Sequence, residues 1–560
     1  MPKLFRISFL SALLLFSSIA FSQSQPAIVK VDFNKTVGEM TPIWSWFGYD
    51  EPNYTYMKDG KKLLTEMAAL SPSPVYVRTH NLMTSGDGRP ALKWGSTNMY
   101  TEDANGKPVY NWAIVDSIFD SYVSRKMKPL AQIGFMPEAL STNPQPYQHD
   151  WHPGDKFSKL PTGWAYPPKD YDKWGELVYQ WVTHCVVRYG KAEVESWYWE
   201  LWNEPNGAYW KGTWPEFFKL YDYSAAAVKK ALPNAQIGGC NITGNGMKFL
   251  DAFLKHCVSD TNYVTGKIGS PLDMILFHAK GSPKVMDGKV VMDVRAQLKN
   301  ITDNFAVIAK YPQLKNIPVI LGESDPEGCA ACSMATNPEN AYRNGTMFSS
   351  YTAASFARKY ELADRHEKDL IGAVTWSFEF ENQPWFGGFR DLATNGVDKP
   401  VLNVFRMFGK MSGKRAAVTS NRMYVLDSIL NTSVRKQSDI GGLAAIDKNT
   451  ASVMVWNYHD VDETGPAETV KVQMQGIPAG KKLVLTQYAI DKTHSNSYER
   501  WKKMGSPQKP SGGQIAELEK SGALQTAVPA KNINAQNGQI SVEVKLERQA
   551  TLLLKLDWLD

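Results

Sequence analysis

Several features that would point to particular kinds of protein are absent from this sequence of 560 residues. It has no run of lysines and arginines and no recognisable nucleic-acid motif, although its formal net charge is +6. A nucleic-acid partner is therefore not indicated. Beyond the first 22 residues, no stretch approaches the ~18 to 20 apolar residues of a membrane helix, so no membrane partner is expected. The sequence leaves the oligomeric state open.

Cysteine is scarce, with five residues in the chain. An odd number leaves at least one free thiol. Cys329-Ala330-Ala331-Cys332 has the spacing of a redox motif, but no predicted helix follows that would lower a thiol pKa. We expect either a disulfide that staples this loop or two free thiols. No second Cys-x-x-Cys and no histidine pair completes a zinc site, and the sequence predicts neither a metal nor a cofactor.

The N-terminus has the three parts of a secretory signal peptide. Lys3 and Arg6 make its start basic, residues 7–21 are apolar, and Ala20-Phe21-Ser22 has the pattern of a cleavage site. The apolar part is too short to span a membrane stably. The sequence therefore predicts a signal peptide at residues 1–22 and export to the periplasm or the extracellular space.

Short β-type runs alternate with longer amphipathic segments between residues 43 and 411. Eight such runs are present, at residues 43–49, 75–80, 129–136, 194–203, 236–240, 272–278, 317–323 and 373–378. Eight β/α units are the number in a TIM barrel. An open doubly wound sheet would need a glycine-rich phosphate loop after its first strand, where Trp44-Ser45-Trp46-Phe47-Gly48-Tyr49 stands instead. The predicted fold is α/β, with a (β/α)8 TIM barrel at residues 43–411.

Residues 412–560 have a different pattern, in which strand-like runs are separated by Gly, Pro and Asn turns. This pattern predicts a C-terminal all-β sandwich, with residues 505–521 as a long polar loop. The segment 23–42 is also strand-like and is a candidate to pair with the sandwich. We interpret the sandwich as scaffold, and a separate carbohydrate-binding module is the alternative.

Polar residues collect at the predicted C-terminal ends of the barrel strands, where the active sites of TIM barrels lie. In Trp202-Asn203-Glu204-Pro205 a strand ends at Asn203 and Glu204 begins the loop. Pro205 is expected to hold Glu204 in an extended conformation that aims its carboxyl group into the barrel mouth. Asn203 is a candidate to bond a sugar hydroxyl.

A second carboxylate, Glu323, ends the apolar strand that begins at Ile317. Two carboxylates across a glycosidic bond can hydrolyse it, since one protonates the leaving oxygen and the other attacks the anomeric carbon. Glu204 is predicted to be the acid and then the base, and Glu323 the nucleophile. Retention requires carboxyl groups ~5 to 5.5 Å apart and inversion ~6.5 to 9.5 Å, which sequence does not give. An ion pair with a neighbouring base is the structural alternative for either residue.

These residues resemble glycoside hydrolase clan A and, within it, family 39 of β-xylosidases and α-L-iduronidases. The resembling stretches are Val77-Arg78-Thr79-His80, Trp202-Asn203-Glu204-Pro205, residues 272–281 and Gly322-Glu323-Ser324-Asp325-Pro326. The resemblance implies a retaining TIM-barrel enzyme with Glu204 as acid/base and Glu323 as nucleophile. It also implies that His80 and His278 bind sugar hydroxyls.

Lys280 bears on the choice of substrate. In iduronidases the lysine of a similar His-x-Lys-Gly segment helps to hold the substrate carboxylate, but bacterial proteins that look like xylosidases carry the same segment. After the eighth strand, Glu381 and Arg390 are candidates to contact the sugar, and Trp376 is a candidate stacking floor. The insert at residues 140–168, rich in Pro, Trp and Tyr, is expected to shape the pocket wall or to be a surface loop.

We therefore predict a retaining, β-xylosidase-like exo-glycosidase that acts on oligosaccharides from plant or algal polysaccharide. One alternative is a family 39 exo-glycosidase that removes a uronic acid, arabinose or galactose, and a basic pocket of Lys280 and Arg390 around the sugar would favour the uronic acid. The other is a non-catalytic carbohydrate-binding protein, against which the presence of both glutamates argues.

Overall fold

The structure is a computed structural model of the chain, and it describes residues 26–478 and 480–558. The predicted signal peptide lies outside the described residues. In chain order, barrel strands one to eight are Trp46–Tyr49, Tyr76–Thr79, Lys128–Ile133, Tyr198–Leu201, Gln236–Ile242, Met274–His278, Val319–Glu323, and a two-part strand, Leu370–Ala373 with Thr375–Trp376.

These strands form one parallel sheet that closes on itself. The first part of strand eight pairs with strand seven, and its second part pairs with strand one. Strands six and seven are buried along their whole length, as expected for a parallel sheet covered by helices. The closed sheet confirms the predicted (β/α)8 barrel.

The barrel helices alternate with the strands, as the sequence pattern predicted. They are Lys58–Ala68, Ala113–Val123, Tyr171–Tyr189 with the short Lys191–Glu195, Trp214–Ala231, Met247–Ser259, Val294–Ile308, Thr346–Arg365 and Pro400–Phe408. Local chemistry explains some of the starts: Asp170 accepts hydrogen bonds from the N–H groups of Asp172 and Lys173. Thr213 and Glu216 form a capping box at the next long helix, which satisfies N–H groups that have no partner inside the helix.

Within the described residues, three short hairpins extend from the connections of the barrel. They are Tyr100–Glu102 with Pro108–Tyr110, Lys284–Met286 with Lys289–Val291, and Ala393–Thr394 with Val397–Asp398. The second follows strand six and therefore leaves from the face of the barrel at which the strands end.

The C-terminal part is built on one mixed sheet of nine strands. Their order across the sheet is Gln525–Ile533, Leu483–Ile490, Thr551–Trp558, Thr450–Tyr458, Asp439–Asp447, Lys414–Ser420, Ala27–Glu39, Glu468–Gln475 and Gln539–Leu546. Side chains from all nine form a core of their own. The N-terminal strand lies inside this sheet, antiparallel to Lys414–Ser420 and parallel to Glu468–Gln475.

Helices also occur in this domain, which the sequence predicted to be all-β. They are Leu426–Thr432, Ser497–Lys503 and Gly512–Gly522. The last overlaps most of the predicted polar loop at residues 505–521, so that prediction was wrong. Ser511 and Gln514 form a capping box at its start, and this Ser-x-x-Gln pattern could have indicated the helix.

Helix Thr346–Arg365 joins the two parts of the molecule. It is buried on most of its surface, because it packs against the barrel and against the sheet strands Thr450–Tyr458 and Thr551–Trp558. Ser350 donates a hydrogen bond to the side chain of Gln549 across this junction at 2.6 Å. Within the described part of the chain, none of the helices has the length and apolar character needed to cross a membrane.

Candidate active site

Arg78, on strand two, connects the ends of strands four and seven at the barrel mouth. Its Nε donates to Glu200 Oε1 at 2.6 Å, one Nη to Glu323 Oε1 at 3.3 Å and the other to Asn203 Oδ1 at 3.1 Å. The guanidinium is fully buried. A planar guanidinium holds several acceptors in fixed directions, so Arg78 sets the relative positions of Asn203 and Glu323.

Glu323 is surrounded by positive and potentially positive groups. Lys280 Nζ lies 2.6 Å from its Oε2, and the Nε2 atoms of His80 and His278 each lie 3.8 Å from its Oε1. Burial alone would raise the pKa of Glu323, but the charges of His278, Lys280 and Arg78 hold it well below the usual range. The carboxylate is therefore ionised at neutral pH, as a nucleophile must be.

Glu204 lies on the other side of His278. Its Oε1 is 3.0 Å from His278 Nδ1, and its side chain is 24% exposed, so solvent and a leaving group can reach it. Its backbone is not extended as expected from Pro205: φ is +45°, in the left-handed region that residues other than glycine seldom adopt. Its N–H donates to the carbonyl of Asn241 at 2.9 Å, which stabilises this conformation.

His80 is held from behind by Asp50. Its Nδ1 lies 2.6 Å from Asp50 Oδ1, and the other oxygen of Asp50 pairs with Lys93. Burial lowers the pKa of His80 to about 4, although Asp50 acts in the opposite direction. We infer a neutral ring at pH 7 with its proton on Nδ1. Its Nε2, which has no hydrogen-bond partner among the described residues, is then an acceptor that faces Glu323.

The predicted substrate contact Lys280 is engaged by the protein on two sides. Besides Glu323, it contacts Asp325 Oδ2 at 2.8 Å. Its side chain is 17% exposed. Lys280 therefore borders the cleft, but its ammonium group is already paired with carboxylates of the protein.

Three further residues predicted to contact the sugar, Arg390, Trp376 and Glu381, are engaged by other parts of the protein. Arg390 is fully buried, and it donates to the carbonyl of Trp376 at 2.8 Å and to Glu327 Oε1 at 2.6 Å. The Trp376 ring is buried against the Arg78 guanidinium, 4.9 Å from the ring centroid. Glu381 accepts the N–H of Asp59 at the start of helix Lys58–Ala68. The first two are therefore parts of the floor and wall behind the site, and the third caps a helix.

The loop after strand seven is stapled by a disulfide between Cys329 and Cys332. Arg343 donates to the carbonyls of both cysteines, at 3.1 and 2.9 Å, and pairs with Glu327. The other three cysteines are free and buried. Of the two arrangements left open by the sequence, the structure has the staple.

Several site residues were not among the predicted ones. Arg78 could have been found, since it lies two positions before His80 and so faces the same side of the strand. Glu200 lies within strand four, one residue before its end. Asp50 could also have been found, because it directly follows the predicted strand at residues 43–49 and so lies at the rim. Lys93, in contrast, lies in a connection whose path no periodicity indicates. Within residues 26–478 and 480–558, no cluster of three or more His, Cys, Asp or Glu side chains is arranged to hold a metal ion.

The fold and the two carboxylates at the strand ends are those of a barrel glycosidase. Residues 27–537 match the model of the family described as Glycosyl hydrolases family 39. The chain belongs to this family and is a glycosyl hydrolase.

The individual relatives share about a quarter or less of their residues with this chain. A β-xylosidase from Geobacillus stearothermophilus is 25% identical over 498 residues, which cover 86% of each chain. An α-L-iduronidase from Mus musculus is 23% identical over 548 residues, which cover 90% of this chain and 77% of the relative. The crystal structure of a monomeric β-xylosidase from Caulobacter crescentus CB15 superposes with a TM-score of 0.73 at 20% identity, over 95% of this chain and all of that one.

Proposed function

We propose that this protein is a retaining exo-glycosidase that removes a neutral terminal sugar, a β-linked xylose, from oligosaccharides. The observation that carries the proposal is the pair of glutamates on either side of His278, in different surroundings. Glu323 is buried among cations and ionised, whereas Glu204 is accessible from the cleft. Different surroundings for two carboxylates are what acid and nucleophile roles require.

The mechanism follows from these surroundings. Glu323 attacks the anomeric carbon while Glu204 donates its proton to the glycosidic oxygen, and the leaving group departs. This forms a covalent glycosyl-enzyme. Glu204, now ionised, then takes a proton from water, which displaces Glu323 and releases the sugar with retained configuration. His80 Nε2 and the Asn203 side chain are placed to bond sugar hydroxyls beside Glu323.

A neutral sugar is favoured because the cations of the site already have carboxylate partners. Within the described residues each of four pairs is in contact: Arg78 with Glu200, Lys93 with Asp50, Lys280 with Asp325, and Arg390 with Glu327. A uronic acid would have to displace one of these carboxylates, and the desolvation of a second anion would be unfavourable. The basic pocket that would favour a uronic acid is therefore not formed by Lys280 and Arg390.

Attack at a chain end is favoured because the connections after strands two and three close one side of the cleft. A narrow pocket beside His80 is lined by Lys93 from the first connection and by Leu160 and Trp164 from the second. His149 contacts the carbonyl of Lys93 at 2.8 Å, which holds the two connections together. The space there is only about 10 Å³, so this side of the cleft is a wall past which a glycan chain cannot continue.

The test is hydrolysis of aryl glycosides by wild type, Glu323→Ala and Glu204→Ala. We expect cleavage of the β-D-xyloside, a loss of several orders of magnitude in Glu323→Ala, and rescue of that variant by azide with inverted configuration. Glu204→Ala should lose less activity on a substrate with a good leaving group, because such a group needs no proton. Preferred cleavage of the α-L-iduronide would move the assignment to a uronic acid, and activity indifferent to Glu323 would refute the mechanism.

We also propose that the chain is exported, on the strength of the signal-peptide pattern at residues 1–22. Expression of the full chain with fractionation and N-terminal sequencing tests this. A mature protein that begins near Gln23 outside the cytoplasm is expected, and an uncleaved cytoplasmic protein would contradict it.

A further inference from the structure

A second pocket lies where the chain leaves the catalytic rim after strand six. It is enclosed by the hairpin that follows Lys280, by the start of helix Val294–Ile308 and by the segment 432–435 of the β domain, and its volume is about 320 Å³. Small-molecule sites begin at ~300 Å³. Ser282 lines the pocket and is two residues from Lys280, so their Cα atoms are at most ~7 Å apart. Ser282 therefore places one edge of the pocket close to the backbone of Lys280.

This pocket lies on the leaving-group side of the cleft. In the ring of eight strands, strand six is opposite strand two. The closed side of the cleft lies beside His80, at the end of strand two. The rest of an oligosaccharide must leave the cleft away from that closed end, and the hairpin after strand six borders the other side.

Cations predominate in the lining. Lys284, Arg295 and Arg435 face one lining carboxylate, Asp293. One Nη of Arg295 donates a hydrogen bond to Asp293 at 3.1 Å, and one Nη of Arg435 donates a hydrogen bond to the carbonyl of Met292 at 3.2 Å. The arginine side chains are 44% and 40% exposed, and Lys284 is exposed on the hairpin. The guanidinium groups therefore keep donors for a ligand.

Buried Asp460 neutralises only part of the positive charge of this pocket. Arg435 Nε lies 3.5 Å from Asp460 Oδ2, and burial raises the pKa of Asp460 to about 7. This partner is consequently only partly ionised at neutral pH. An excess of positive charge remains, in contrast to the catalytic site, where the cations have carboxylate partners.

Asp293 adds an acceptor to these donors. The residue is only 8% exposed, and its Oδ1 is buried without a hydrogen-bond partner among the described residues. A buried unpaired acceptor is costly, and a ligand hydroxyl would satisfy it. The pocket thus offers cations for an anionic group and an acceptor for a hydroxyl, which one acidic sugar residue carries together.

We propose that this pocket binds an acidic sugar residue, with a carboxylate or sulfate ester, on the leaving-group side of the cleaved bond. The enzyme then releases a neutral terminal sugar from acidic oligosaccharides. The hydrolytic part of this inference rests on the proposed function, whereas the binding of the acidic residue does not.

The experiment compares kcat/KM for xylotriose with that for xylotriose carrying glucuronic acid on its middle residue, and a third arm carries a sulfate ester there. Wild type should prefer the acidic substrates, and the preference should fall at high salt. Arg295→Gln and Lys284→Gln should each reduce it by roughly two- to fivefold, as for a partly exposed charge contact. Lys267→Gln is the matched control, since this exposed lysine precedes strand six at the opposite end of the barrel.

Calorimetric binding of the glucuronic acid oligosaccharide to Glu323→Gln separates the two proposals. If all xylotrioses are cleaved alike, or the preference survives both substitutions, the pocket is not an acidic subsite while the glycosidase assignment stands. If no xyloside is cleaved but the acidic ligand binds, and Arg295→Gln weakens that binding, the pocket stands and the proposed function falls. The substituent that raises kcat/KM more, glucuronic acid or the sulfate ester, identifies the anionic group that the pocket prefers.

Discussion

Replacing Lys280 by methionine removes an ammonium group that lies 2.6 Å from Glu323 Oε2. Both side chains are largely buried, 17% and 9% exposed, so solvent screens the contact little. A hydrogen bond between charged groups of this kind is worth ~1.5 to 3 kcal/mol, and ~1.4 kcal/mol corresponds to one pKa unit. We expect the pKa of Glu323 to rise by about one to two units.

The sign of the effect on activity follows from the role of Glu323. In the proposed mechanism cleavage needs the ionised carboxylate, so activity should fall as the pH drops through its pKa. Surrounding cations hold this pKa well below the usual range, and loss of Lys280 raises it. The acid limb of kcat/KM, which reports the free enzyme, should therefore move to higher pH by about one to two units.

The assay is the pH profile of kcat/KM on an aryl β-D-xyloside for wild type, Lys280→Met and the control Lys289→Met. Lys289 lies on the adjoining hairpin, where it pairs with Glu463 and is half exposed, so its variant should keep the wild-type profile. An unmoved acid limb in Lys280→Met would refute the reasoning. A selective rise in KM for an α-L-iduronide would instead assign Lys280 to a substrate carboxylate.

Three further changes test the support of the site. Asp50→Asn removes the carboxylate that holds Nδ1 of His80. Because a charge-assisted hydrogen bond is lost, we expect kcat/KM to fall by about ten- to a hundredfold while the circular dichroism spectrum stays native. An unchanged kcat/KM would contradict a proton on Nδ1 of His80. Arg78→Met leaves Glu200 buried without its cation, which should cost ~3 to 5 kcal/mol in denaturant unfolding, and a loss below ~1 kcal/mol would contradict the pairing. Cys329→Ser opens a short loop and should cost about 2 kcal/mol, whereas equal stability of variant and wild type would show that Arg343 alone holds the loop.

The barrel could be predicted because each strand and helix has its own local signal. Helix Tyr171–Tyr189, for example, starts directly after a capping aspartate, Asp170, which is a start signal that the sequence contains. The two glutamates could be located for a similar reason, because each directly follows an apolar strand and strand ends meet at one rim.

The direction of individual side chains could not be predicted in the same way. Arg390 and Lys280 both follow strand ends, yet one points into the protein and the other borders the cleft. Which of these occurs depends on partners distant in sequence, such as Glu327 for Arg390. The contact of Lys93 with Asp50 likewise joins residues 43 positions apart and has no periodic signal.

The choice between a neutral and an acidic terminal sugar depends on the partners of Lys280 more than on its presence. The chain is similar to both β-xylosidases and α-L-iduronidases, so a lysine at this position does not separate them. Here Asp325, two residues after Glu323, contacts Lys280 at 2.8 Å and also accepts the N–H of Trp376 at 2.9 Å. This hydrogen bond from strand eight holds the Asp325 carboxylate beside Lys280 and opposes its displacement. A substrate carboxylate would compete with two fixed carboxylates for one ammonium group, and a neutral sugar meets no such competition.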